Sequence, residues 1–150
     1  MDLILWRHAE ALPGADDAVR PLSRRGEKQA KLAASWLNDH LPENTRILVS
    51  PAQRTRQTAN ALGRDYLVNE ALAPSQNAEH ILAAAGWPNA TGTVLIVGHQ
   101  PTLGEIAVSL LEGFDGLTWT PSCASLCWIH GEDVEGKVRT SLVTTFAPKE

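Results

Sequence analysis

"LILWRHAEA", Leu3–Ala11, sets four apolar residues in a row and ends the run abruptly on Arg7-His8. An unbroken apolar run, rather than an alternating one, predicts a strand covered on both faces. Two further runs share this character, Ile47–Val49 and Val94–Val97. Each leads, directly or through a loop, into a segment of helical pattern. Strands alternating with helices predict a three-layer α/β/α sandwich around a mostly parallel central sheet, with an antiparallel edge.

The clearest helix spans Ser23 to His40. Ala30, Ala33, Ala34, Leu37 and Leu41 follow helical spacing, and Ser23 can cap the start. Gly26 is a poor residue for its first turn. A second helix is expected to open at Ser50-Pro51, a capping serine before proline, and to end near Gly63. A short strand near Tyr66–Val68 and a helix near Ala78–Ala85 follow. After Val97, Gly98-His99-Gln100-Pro101 leads into a helix carrying Leu103, Ile106, Ala107, Leu110 and Leu111. Two strands close the chain, about Ala124–Ile129 and Lys137–Phe146, joined by a polar turn from His130 to Gly136. No repeat or linker divides the 150 residues, so 1–150 is read as one domain.

Composition excludes several classes. A net charge of −4 argues against general nucleic-acid binding. No apolar run approaches bilayer length and no signal peptide follows Met1, which predicts a cytoplasmic protein with no membrane partner. Cys123 and Cys127 are too few for a disulfide framework and, on one strand, would stand roughly 13 Å apart. Both read as small buried side chains. Trp6, Trp36, Trp87, Trp119 and Trp128 read as core or interface aromatics, since nothing spaces them as a stacking box. The chain is expected to be a monomer.

Charge is distributed unevenly. Residues 1–64 hold 10 basic and 7 acidic residues, whereas residues 65–150 hold 3 and 10. An acidic protein that gathers arginines near its first strands is suited to a local anion site. His8 and His99 both follow apolar runs, where open α/β sheets bind ligands beyond their strand ends. Arg54 and Arg56 lie near the start of the second helix, where the macrodipole disfavours positive charge by roughly 0.3–1 kcal/mol. They sit about 200° apart on a helical wheel, so both cannot easily enter one pocket. The wheel leaves open which one does.

A phosphoryl group fits these parts. Guanidinium forks match phosphate oxygens, and a neutral imidazole is a competent nucleophile toward phosphorus. A second, protonated histidine could donate to the transferring group. There is no Walker-type glycine-rich loop and no metal-ligand spacing, so neither metal nor cofactor is called for.

"LWRHAEA", "PLSRRGEKQA", "LVSPAQRTRQTA" and "LIVGHQP" resemble, in order, the motifs of the histidine phosphatase superfamily. The chain looks most like its small phosphohistidine phosphatases of the SixA type. The resemblance covers residues 3–101 and implies the phosphoglycerate mutase-like fold. It implies that His8 is the nucleophile, that Arg7 and Arg54 bind phosphate, and that His99 is a second histidine of the phosphate pocket. Ser50, Pro51, Gln57 and Thr58 would frame the helix that carries Arg54. Gly26 matches the glycine of the family's "LTxxGxxQA" signature. The usual "RHG" is "RHA" here, so Ala9 is expected in an ordinary backbone conformation. Thr55 replaces the motif's alanine.

Larger relatives place a carboxylic acid after a middle strand. Glu70 is the nearest candidate general acid and Glu79 a more distant one, although both also read as solvated carboxylates. A departing imidazole is a better leaving group than an alkoxide, which suits an enzyme without a dedicated acid. Short connections and the absence of a long insertion that could close as a lid favour a phosphorylated side chain on a protein over an enclosed metabolite. The expected activity is therefore hydrolysis of phosphohistidine on a signalling or phosphotransfer protein through a covalent intermediate on His8. The alternatives are a phosphatase of a small phosphomonoester using the same pocket, and a phosphate-binding module without turnover.

Overall fold

The computed structural model describes residues 1–111 and 121–149. The strands are β1 (Asp2–Arg7), β2 (Arg46–Val49), β3 (Leu67–Val68), β4 (Thr93–Gly98), β5 (Leu126–Val134) and β6 (Lys137–Phe146). They form one sheet in the order β3-β2-β4-β1-β5-β6. The first four are mutually parallel, and β5 and β6 add an antiparallel edge beside β1.

The opening run is unbroken because both faces of β1 are covered. Ile4 and Trp6 pack beneath α1 (Arg24–His40) and α2 (Gln53–Asn60). Leu3 and Leu5 pack against α3 (Ala78–Ala85) and α4 (Thr102–Leu110) on the other face. All four are fully buried, and burying such side chains contributes up to about 1.5–3 kcal/mol each. β2 and β4 repeat the pattern, with Ile47, Val49, Leu95 and Val97 on one face and Leu48, Val94 and Ile96 on the other. The three-layer sandwich is the expected one.

β4 lies between β1 and β2, and its C-terminal end is level with theirs. Arg7 pairs with Gly98 and Val49 with Val97. Two backbone bonds hold the three exits together, His8 N–H to the Gly98 carbonyl and Ser50 N–H to the Val97 carbonyl, each 3.1 Å. The helices that follow β1 and β2 cover one face and the helix that follows β4 covers the other, so these strand ends form the sheet's switch point.

Three local expectations change. α2 begins at Gln53 behind Ala52, without a side-chain cap; Ser50 Oγ instead accepts from Ala52 N–H at 3.3 Å and meets His99 Nε2. β5 continues through His130 to Val134, and the turn shrinks to Glu135-Gly136. Both turn residues have positive φ, as a tight two-residue hairpin requires. The far half of β5 lies beyond the buried sheet, so its polar residues look like loop. Cys123 precedes β5 and is half-buried; Cys127 is buried within β5, where desolvation pushes its thiol up to about 12. Of the tryptophans, Trp6 and Trp128 are buried, Trp36 and Trp87 are half-buried, and Trp119 lies outside the described residues. No helix among the described residues is long and apolar enough to cross a membrane.

Gly26 has a packing reason. Ser23 caps α1 through the Gly26 N–H, and Ser23 N–H donates to the Glu10 carbonyl at 2.9 Å. This brings the first turn so close that a Cβ on Gly26 would stand 2.0 Å from the Glu10 carbonyl oxygen. Gly26→Ala is therefore expected to destabilise the protein by about 1–3 kcal/mol through overpacking. A lowered urea midpoint at unchanged m-value checks this.

Candidate active site

Burial and strand register deliver four side chains to the switch point. Arg7 and His8 leave β1, His99 leaves β4, and Arg54 projects from the first turn of α2. The His8 and His99 rings lie 5.3 Å apart, centroid to centroid, tilted by 55°. Arg54 is only 5% exposed while Arg56 is exposed, so the helix orientation selects Arg54.

The imidazole of His8 is fixed by its neighbour. Its Nδ1 lies 2.7 Å from the Ala9 carbonyl, which can only accept. Nδ1 therefore carries the proton and Nε2 keeps a lone pair. Ala9 is buried and does not have a positive φ, as the substitution of glycine predicts. Its N–H donates to Thr58 Oγ1 at 3.0 Å, and the Thr58 hydroxyl donates to the Arg54 carbonyl at 2.7 Å. α2 thus positions the nucleophile's loop as well as an arginine. Gln57 accepts from Leu22 N–H at 2.7 Å and ties the same helix to the segment before α1.

Ser50 Oγ lies 2.7 Å from His99 Nε2, and Arg54 Nη2 lies 3.5 Å from His99 Nδ1. Arg7 Nη1 donates to the Pro121 carbonyl at 2.7 Å. The segment that follows also wraps β1: Ala124 N–H donates to the His8 carbonyl, and its own carbonyl accepts from Trp6 Nε1. Ala124 holds φ = 63°, an unusual left-handed conformation for a residue with a Cβ.

Two residues absent from the sequence-based site join it. Asp17, in a short 3-10 turn of the loop after β1, accepts from Arg54 Nη1 through its carbonyl and from Nη2 through its carboxylate, at 2.8 and 3.2 Å. Arg20 donates to the same carboxylate at 3.0 Å. The hydrogen bond from Arg20, and then Arg54, hold Asp17 below the usual carboxylate range. In the sequence Asp17 and Arg20 form an i, i+3 pair of opposite charges in "DDAVRP", a pattern that solvated pairs share.

The electrostatics favour an anion. Burial, opposed by the hydrogen bond to Ala9 and helped by the charges of Arg54, Arg7 and Arg20, brings the pKa of His8 down to about 4. Burial pushes His99 down to about 3, helped by His8 and Arg54. Both rings are thereby held toward the neutral state near pH 7. The Nε atoms of Arg7 and Arg54 are buried donors without a partner. Such groups cost about 1–3 kcal/mol each when unsatisfied.

Glu70 follows Asn69, whose N–H donates to the Val49 carbonyl at 2.9 Å. Glu70 is exposed in a 3-10 turn after β3, and Glu79 is exposed in the first turn of α3. Among the described residues, no cluster of three or more His, Cys, Asp or Glu side chains forms a metal-binding group.

Residues 3–73 match the family model of the histidine phosphatase superfamily, branch 1. The phosphohistidine phosphatase SixA of Escherichia coli K12 is 32% identical over 123 residues, spanning 75% of this chain and 76% of that one. The chain belongs to the histidine phosphatase superfamily. Solved SixA structures share its architecture. One from Nakamurella multipartitia superposes with a TM-score of 0.83 at 28% identity, covering 98% of this chain and 95% of its own. The protein histidine phosphatase SixA complexed with tungstate gives 0.77 at 25% identity, covering 98% and 97%. The SixA-type resemblance of the four motifs is thus matched over the whole described fold.

The depressed histidines make stability pH-dependent in a defined direction. Between pH 6.5 and about 4 the unfolded chain takes up protons at His8 that the folded chain refuses. This contribution is complete above pH 6.5 and is lost as pH falls toward 4. The stability of wild type relative to His8→Asn should therefore decline from pH 7 to pH 5 in urea titrations.

Proposed function

We propose that this protein is a phosphohistidine phosphatase that works through a covalent phosphoryl intermediate on His8. The reading rests on one observation: His8, its Nε2 lone pair left free by the Ala9 hydrogen bond, lies 5.3 Å from His99, with Arg7 beside it in the chain and Arg54 Nη2 3.5 Å from the same His99. The tungstate complex of the related SixA supports it, because tungstate is a tetrahedral oxyanion of phosphate geometry.

In the first step the His8 Nε2 lone pair forms a bond to phosphorus while the scissile P–N bond breaks. A phosphoimidazole protonated on its second ring nitrogen departs as neutral imidazole, so the scissile nitrogen needs no added proton. The guanidinium groups of Arg7 and Arg54 bind the transferring oxygens, and His99 donates from a ring N–H. In the second step water attacks phosphorus, the His8–P bond breaks with its electron pair returning to Nε2, and phosphate leaves carrying the oxygen and both protons of that water. Nδ1–H of His8 stays bonded to Ala9 throughout, which stabilises the positive ring in each transition state.

Asp17 bears on the choice of substrate. Its two arginines keep it ionised, which makes it a poor proton donor to an alkoxide leaving group. A departing imidazole makes no such demand, so the site suits a phosphoramidate better than a phosphomonoester.

His8→Ala is expected to abolish both turnover and trapping of radiolabelled phosphate from a histidine-phosphorylated protein. Arg54→Ala should lower kcat/KM by about 10²–10³, the loss typical of removing one preorganised group from a developing charge. Label that still accumulates in His8→Ala excludes the covalent step. Faster hydrolysis of sugar phosphates or p-nitrophenyl phosphate than of phosphohistidine assigns the pocket to small phosphomonoesters.

A further inference from the structure

A second cationic feature lies beside the pocket and is absorbed neither by the fold nor by the chemistry. Arg24, Arg25, Lys28, Leu32 and Lys149 line a surface groove of about 530 Å³. All five are exposed, Leu32 at 44% despite being apolar. Arg24, Lys28 and Leu32 recur every four residues, so they form one stripe along α1 roughly 12 Å long. Lys149 joins it from the C-terminal segment.

The groove opens at the rim of the active site. Ser23 donates to the Glu10 carboxylate at 2.8 Å, and Arg25 stands 3.6 Å from the same carboxylate. Glu10 is two residues beyond His8. The stripe therefore starts next to the nucleophile's loop and runs away from it along the helix.

Arg25 pairs with Glu10, whereas the placement of Arg24 runs against the helix it starts. Arg24 and Arg25 are the first two residues of α1, where positive charge opposes the macrodipole. Ser23 and Glu27 already serve that helix end. The cations also stand out against a net charge of −4. A groove that is cationic along its rim and ends on an exposed leucine is complementary to a segment carrying carboxylates followed by an apolar side chain.

We infer that this groove docks an acidic segment of the phosphorylated protein whose phosphohistidine enters the pocket. The inference rests on the phosphohistidine reading above and adds the surface by which the substrate protein is chosen. Rim charges act chiefly on encounter and on salt dependence, so the effect belongs in KM and not in kcat.

Two synthetic phosphohistidine peptides test it, one extended by an Asp/Glu run ending in leucine, the other by a Ser/Gly run of equal length. Wild type should show a KM roughly tenfold lower for the acidic peptide at low salt, converging with the neutral one as salt rises. The triple variant R24E/K28E/K149E should lose that preference while keeping kcat on both peptides and turnover of p-nitrophenyl phosphate. Arg25 is left intact because it contacts Glu10. Exchanging Arg24 for glutamate suits the helix start, so the variant should fold at least as well, checked by its urea midpoint. Equal KM values for the two peptides in wild type, or a preference that survives in the folded variant, overturn the docking surface alone. So does inhibition by a polynucleotide at concentrations where the unphosphorylated acidic peptide fails to compete. Hydrolysis of p-nitrophenyl phosphate with neither peptide turned over overturns the phosphohistidine reading and the docking surface with it.

Discussion

Everything at the site depends on β4 being wedged between β1 and β2 with the three strand ends level. The backbone bonds from His8 to Gly98 and from Ser50 to Val97 are the last rungs of those parallel ladders. They place residues more than forty positions apart in the chain at one edge. A one-residue slip of β1 against β4 would reverse which side chains face each helical layer, exchanging Trp6 for Leu5. Since both layers are packed to full burial, the register is held by the core and the pocket inherits its precision.

On that frame the electrostatics follow from burial. Two arginines and two imidazoles share a poorly hydrated space, and the imidazoles respond by staying neutral. Neutrality keeps His8 nucleophilic, and its tautomer is a backbone matter, set by the Ala9 carbonyl. Asp17 offsets part of the positive charge from the rim. Its carboxylate and its carbonyl both take Arg54 N–H groups, so the loop after β1 helps to orient a guanidinium carried by α2. The framing residues do comparable work by ordinary means: Thr58 links α2 to Ala9, and Ser50 links the β2 exit to His99.

Much of this was legible in order along the chain. Unbroken apolar runs marked β1, β2 and β4, and spacing marked α1 and α4, because a surface helix advertises its buried stripe. Errors arose where a local pattern did not decide the outcome. Ser50 has the form of a helix cap, but its hydroxyl accepts from Ala52 N–H and meets His99, and α2 starts three residues later. The second half of β5 looks like a loop because it leaves the covered part of the sheet, where a strand no longer needs apolar residues. Asp17 and Arg20 were missed because nothing in "DDAVRP" separates a pair folded over a pocket from a solvated one.

The sequence by itself determined the alternation of strand and helix, the two histidines beyond strand ends, and, through four ordered motifs, the superfamily. These are properties of short windows, in which period and residue type carry the signal. Helical spacing left Arg54 and Arg56 open and the motif resemblance pointed to Arg54; the tertiary structure supplied the physical reason, because α2 is rolled against the sheet so that Arg54 is buried and Arg56 exposed. The tertiary structure alone decided the protonation of the histidines, since a pKa is set by desolvation and by charges brought close from elsewhere in the chain. It alone explained Gly26, whose missing Cβ leaves room for a carbonyl sixteen residues earlier, at Glu10.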